Sequence, residues 1–223
     1  QVHAERRLSG GFTFQTSWTW SKFIEAQSFL NETDGRLERV ISDQDFPHRF
    51  VMSAIWELPV GRGKPLLGRA GRMLDYLGGG WQLQGIYEGQ SGQALGFGNA
   101  LFFGNVRDIP LPLSERKAER WFNTEAGFER HPQRQPLYNI QTLSSRFSGV
   151  RSDGTNNFDL SMFKNFRLTE RLKAQFRFES SNALNHVQFA NPDTNPVSSA
   201  FGSITSDKGA GERRLTFAVK VMF

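Results

Sequence analysis

Residues 213–223 read RRLTFAVKVMF, and their parity decides what kind of protein this is. Leu215, Phe217, Val219, Val221 and Phe223 fall on one face of an extended chain, while Arg214, Thr216, Ala218 and Lys220 fall on the other. Strict alternation of this kind marks a strand with one apolar and one polar side. Five further stretches behave alike. In GFTFQTSWTWSKF (11–23), Phe12, Phe14, Thr16, Trp18 and Trp20 oppose Thr13, Gln15, Ser17 and Thr19. HRFVMSAIWELPV (48–60) sets Phe50, Met52, Ala54, Trp56 and Leu58 against Arg49, Val51, Ser53, Ile55 and Glu57. GGWQLQGIYEGQSG (79–92) sets Trp81, Leu83, Gly85 and Tyr87 against Gln82, Gln84, Ile86 and Glu88. NNFDLSMFKNFRL (156–168) and RLKAQFRFESSNALNH (171–186) complete the set. Phe158, Leu160 and Met162 oppose Asp159, Ser161 and Asn165 in the former; Leu172, Ala174, Phe176 and Phe178 oppose Lys173, Gln175, Arg177 and Glu179 in the latter.

Each run has about ten residues, more than the five or six common in soluble strands and close to the 9–11 that a tilted strand needs to cross a bilayer. One face suits hydrocarbon and the other suits water. The expected fold is therefore all-β: a partial antiparallel transmembrane β-barrel of about six long strands with long extracellular loops. Trp18, Trp20, Trp56, Trp81 and Tyr87 lie near the ends of their runs, where interfacial aromatic girdles sit.

Connection lengths give an independent indication. Long polar links follow the first, third and fifth runs, and shorter ones follow the second and fourth. That is the alternation of outer loops and periplasmic turns in an outer-membrane barrel. The second link, GRGKPLLGRAGRMLDYLGG (61–79), carries Leu66, Leu67, Ala70, Leu74 and Leu77 at helical spacing and is read as a loop with a short amphipathic helix. The fourth is a tight turn at Thr169–Glu170. The longest link has a candidate helix at SERKAERWF (114–122), capped by Ser114 with Trp121 and Phe122 packing, but its Pro and Gly residues favour irregular structure elsewhere.

Composition narrows the function classes. Among 223 residues there are 21 Phe but no Cys, so neither disulfides nor thiolate metal sites arise. Mean hydropathy is −0.48, and no apolar run approaches the ~18 residues of a membrane helix. The net charge of +5 comes from scattered cations, not a basic stripe, so nucleic acid is not an expected partner. His3, His48, His131 and His186 have no second ligand at metal spacing, and no cofactor is expected. Gly61–Lys64 lacks the spacing and the Ser or Thr of a phosphate loop, since Pro65 follows. There is no G-x-S-x-G elbow. Glu88, Asp159 and Glu179 are read as solvated lumen charges, and the chain is not expected to be an enzyme. An alternative all-β reading is a soluble carbohydrate-binding module using exposed Trp and Phe.

The segments NNFDLSMFKNFRLTERLKAQFRFESSNALNHVQFANPDTNPVSSAFGSITS (156–206), HRFVMSAIWELPVGRGKPLL (48–67), GGWQLQGIYEGQSGQAL (79–95) and ERWFNTEAGF (119–128) closely resemble the C-terminal barrel region of Oar-like TonB-dependent receptors. The resemblance runs from about Gly11 to Phe223. It implies an outer-membrane protein with a carboxypeptidase-regulatory-like domain, a plug and a large barrel, serving uptake of a bulky solute of the siderophore, oligosaccharide or peptide class. It implies that Phe217, Val219, Val221 and Phe223 form a C-terminal signal for the barrel assembly machinery. The loops Glu25–Pro47, Ser91–Gly154 and Val187–Gly211 would then capture solute, and Gln82, Gln84, Glu88, Lys173, Gln175, Arg177 and Glu179 would line the lumen. The chain opens on Gln1 without a charged-then-apolar leader. Residues 1–223 are accordingly expected to be the C-terminal portion of the receptor barrel, without signal peptide, regulatory-like domain or plug. The expected partners are outer-membrane lipid, the remaining strands and plug, and the assembly machinery, with the TonB complex reached only through the N-terminal part.

Overall fold

The computed structural model describes residues 1–69, 71–135, 138–169, 171–209 and 211–223. Its elements in chain order are β1 (Val2–Ser9), β2 (Phe12–Trp20), β3 (Ile24–Glu25), β4 (Val40–Ile41) and β5 (His48–Glu57). There follow α1 (Arg72–Gly78), β6 (Trp81–Gln90), β7 (Ala94–Leu95), β8 (Phe147–Arg151), β9 (Thr155–Arg167), β10 (Lys173–Ser181) and β11 (Arg214–Met222). The seven long strands form one sheet in the order β1-β2-β5-β6-β9-β10-β11, every neighbour antiparallel. The sheet is an up-and-down meander and does not close.

Seven long strands replace the six expected from periodicity; the addition is β1. Val2 and Ala4 supply its outward apolar side, but Arg6 interrupts the pattern and the pairing is irregular between Arg6 and Ser9. What makes it a strand is its neighbour, through pairs such as Val2 with Trp18 and Ala4 with Thr16. Gly10 and Gly11 link the two strands, with φ of 64° and 82°. A link with positive φ at both positions, as in a type I′ hairpin turn, suits glycine, which adopts that conformation without strain.

Register carries each face across the whole sheet. Phe12, Trp56, Leu83, Met162, Phe178 and Phe217 form one continuous outward row. Thr13, Ile55, Gln84, Ser161, Glu179 and Thr216 form an inward row. Gly85 interrupts the outward side, and the Phe158 ring lies over the gap. Aromatic residues gather at both ends: Trp18 stacks on His48 and Phe50 meets Tyr87 at one end, and Trp56, Trp81 and Phe166 sit at the other. Phe50 and Trp56 are six positions apart on one strand, about 20 Å at ~3.3 Å per residue and comparable with a ~25 Å apolar band.

All long connections leave the same end. They do not hang loose. Every buried hydrophobic side chain among the described residues lies in them, and none lies in the seven long strands. Phe97 stands at the centre, with ring centroids of Phe122, Phe128 and Phe147 4.7 to 5.8 Å away and Phe201 at 6.4 Å. Thus the second and third long loops share one core. The candidate helix at 114–122 is not an α-helix. A single 3-10 turn at Leu113–Glu115 follows Pro112, and Lys117 and Arg120 bridge each other beyond it. Trp121 and Phe122 nevertheless pack into the core as their apolar character requires. The short helix in the second link is present as α1; Ala70 lies outside the described residues. In the fourth link, Leu168 and Thr169 both donate backbone N–H bonds to Leu172 O, closing the turn, while Glu170 lies outside the described residues.

Candidate functional site: the inward face and its mouth

Gln82, Gln84, Glu88, Lys173, Gln175, Arg177 and Glu179 all share the inward face, because β6 and β10 flank β9 in matching register. They divide into a band along β6 and a band along β10. Gln175 Nε2 donates to Asn165 Oδ1 at 2.9 Å, and Arg177 Nε donates to Gln175 Oε1 at 2.8 Å with its guanidinium over the Phe163 ring. Glu179 is paired in register with Ser161 and Thr216, and Lys173 with Arg167 near the short-turn end. At the loop end, Glu88 receives a 3.0 Å ion pair from Arg49. These seven residues offer hydrogen-bonding groups and both signs of charge, interspersed with the apolar Val51, Ile55, Ile86 and Phe163 of the same face.

Above it, Glu88, Asp159, Asn182, Gln188, Lys208 and Glu212 line a cavity of about 310 Å³ at the mouth. Asp159 Oδ1 accepts from Asn157 Nδ2 at 3.1 Å and from the Asn182 N–H at 2.9 Å. Asn182 takes the left-handed conformation, with φ of 46°, as the chain leaves β10. Its amide donates to the carbonyls of His186 and Gly211, so the two ends of the third long loop are tied by one side chain. Asn is the non-glycine residue that best tolerates that geometry.

The loops are joined by ion pairs that spacing could not reveal. Arg151 Nη2 meets Asp45 Oδ2 at 2.6 Å, with Asp45 almost wholly buried, and Arg151 also donates to Asp45 O and Gly92 O. Arg146 pairs with Glu25 and donates to Ile41 O. Ser144 Oγ and the Ser145 N–H donate to Glu38 Oε1 at 2.6 and 3.0 Å. Burial alone would push the Glu38 carboxyl up, but the hydrogen bonds from Ser144 and Ser145 and the charge of Arg146 outweigh it and hold it below its ordinary value. The first loop is thereby pinned to the second. Partners more than a hundred residues apart leave no periodic or motif signal, which is why sequence reading missed them. Among the described residues no three His, Asp or Glu side chains converge as metal ligands.

At the C-terminal end, Phe217 and Val219 face outward opposite Phe178 and Phe176, Val221 opposite Ala174, and all three are more than half exposed. Phe223 follows, fully exposed. Nothing among the described residues covers this row.

A meander with an uncovered apolar side, aromatic belts at both ends, a largely polar reverse and its longest loops all at one end defines a membrane-spanning β-barrel protein. Residues 1–216 match the outer membrane beta barrel domain, and the chain belongs to that family. No curated protein and no solved structure matches it. The protein is thus placed in the outer membrane, with lipid against its outward rows, and the soluble carbohydrate-binding module is set aside.

Proposed function

We propose that this chain is the C-terminal portion of the barrel of an Oar-like TonB-dependent receptor, which takes up a bulky solute of the siderophore, oligosaccharide or peptide class. The observation that carries the proposal is the packed cap of long loops standing over a polar inward face. A simple structural barrel needs no folded cap of this size, whereas a receptor must present a shaped surface to a scarce solute before admitting it. The open edges of β1 and β11 favour a larger cylinder, since each unpaired backbone group in hydrocarbon costs several kcal/mol. The four segments that resemble such receptors fall on β5 with the first part of the link after it, on β6 with β7, on the second loop, and on the β9–β10 hairpin with most of the third loop.

In this reading the seven inward residues line the lumen and no residue performs covalent chemistry. Phe217, Val219, Val221 and Phe223 serve the barrel assembly machinery. The remaining strands and plug complete the receptor, and energy arrives from the TonB complex through the N-terminal part. Uptake of labelled candidate solutes by cells carrying the full-length protein tests this. Uptake should stop when the inner-membrane proton gradient is collapsed, and surface binding should be lost when residues 91–154 are deleted with barrel insertion intact. Uptake that continues at full rate without the gradient would overturn the reading.

A further inference from the structure

The short-turn end of the sheet carries a feature that solute uptake does not use. The link between β5 and β6 does not hang away from the membrane. Tyr76 of α1 lies 5.3 Å from the Phe166 ring, Trp81 Nε1 donates to Leu77 O at 3.0 Å, and Lys164 Nζ donates to Gly79 O. Trp81, Lys164 and Phe166 all belong to the outward side. The helix therefore folds back against the lipid-facing surface. The apolar side chains of the helix and of the link before it are left uncovered: Met73 is 82% exposed, and Leu66, Leu67, Leu74 and Leu77 are each at least half exposed.

Beside these apolar groups lies a cavity of about 370 Å³ whose lining includes Arg62, Lys64, Arg72, Lys164 and Arg167 and a single carboxylate, Asp75. Asp75 Oδ1 accepts the Arg62 backbone N–H at 2.5 Å, and the carboxylate charge acts on Lys164 without meeting it in an ion pair. None of the five cations forms an ion pair among the described residues. Lys164 is the most telling. It is only 2% exposed on the outward side, with its ammonium 5.3 and 5.1 Å from the ring centroids of Trp81 and Phe166. An ammonium has three donors, and Gly79 O takes one. A cation on the lipid side is costly near the midplane and tolerable only at the interface.

Exposed leucines beside cations that outnumber the one carboxylate, at the depth of an aromatic belt, match one kind of molecule: acyl chains joined to an anionic phosphate. We propose that this cavity binds the phosphate of an anionic phospholipid in the periplasmic leaflet, with the acyl chains running along the outward rows past α1. The inference rests on the protein being an outer-membrane barrel and not on the uptake reading, so either can fail without the other.

The test uses the full-length protein in detergent, exposed to equal amounts of phosphatidylglycerol and phosphatidylcholine, with retained lipid counted by native mass spectrometry. Phosphatidylglycerol should be retained in preference. Arg62→Gln combined with Arg72→Gln should reduce that preference by about five-fold per cation removed. This variant leaves the described hydrogen bonds in place, because Arg62 contributes only its backbone N–H to them. Lys164→Met should act in the same direction, and if it does not fold the arginine pair still decides. Excess inorganic phosphate should leave retained lipid unchanged. Equal retention of the two lipids, an unaltered preference in the arginine variant, or displacement by inorganic phosphate would each overturn the proposal.

Discussion

Glu38 is held by donors from Ser144 and Ser145 with Arg146 nearby, and its carboxyl is lowered from an ordinary 4.5. Unfolded, the same group binds its proton more readily, so stability falls as acid is added. The contribution of Glu38 is complete above the unfolded pKa and disappears as pH drops through the lower folded value. Limited pepsin digestion of the membrane-inserted protein should therefore release the first loop increasingly below about pH 4.5, and Glu38→Gln should remove that part of the pH dependence. An identical pH profile in both would contradict the assignment. At this scale the sequence was half legible. Parity assigned Gln84, Arg177 and Glu179 to one face correctly, because a strand turns a side chain over at every step. The partnerships of Asp45 with Arg151 and of Glu38 with Ser144 were not legible, because they exist only once distant loops have packed.

Strands that face lipid keep a strong period, and the six longest alternations all became strands of the sheet. β1 escaped because Arg6 breaks its outward side and pairing to β2 supplies what its own pattern lacks. The turns of the second loop escaped for another reason: 3-10 geometry at Leu113–Glu115 follows Pro112 and the shape of the cap, not an apolar period. The outward row of β11 yields a direct test. Val219 lies near the middle of its strand, paired with Phe176, and Val219→Lys should destabilise the inserted barrel by about 2–4 kcal/mol. Thr216→Lys on the same strand faces inward opposite Glu179 and should be nearly neutral. Urea unfolding in lipid vesicles measures both. Equal costs at the two positions would show that the faces have been assigned wrongly.

Across the whole molecule, the sheet obeys one solvent and the cap another. An apolar side open to hydrocarbon and an incomplete circle of strands were both readable from alternation and run length. The folding of the long loops into a body of their own was not, since Phe97, Phe122, Phe128 and Phe201 meet only in three dimensions. Their proportion of Pro and Gly suggested irregular chain, and much of the chain is irregular. Glycine there serves close approach: Gly104 lies against the Ala126 carbonyl and Gly127 against the Gly104 backbone, so that neither could carry a side chain.

The location of the buried phenylalanines has a calorimetric consequence. When the cap melts, its interior passes into water, and exposed apolar area raises heat capacity by about 0.45 cal/K/mol per Å². The outward rows of the strands stay in lipid through that event and contribute nothing to it. A scan of the vesicle-inserted protein should show an early endotherm with a pronounced positive baseline step while the amide infrared signal of the strands persists. A single transition in which both signals vanish together would mean that cap and sheet melt as one cooperative unit.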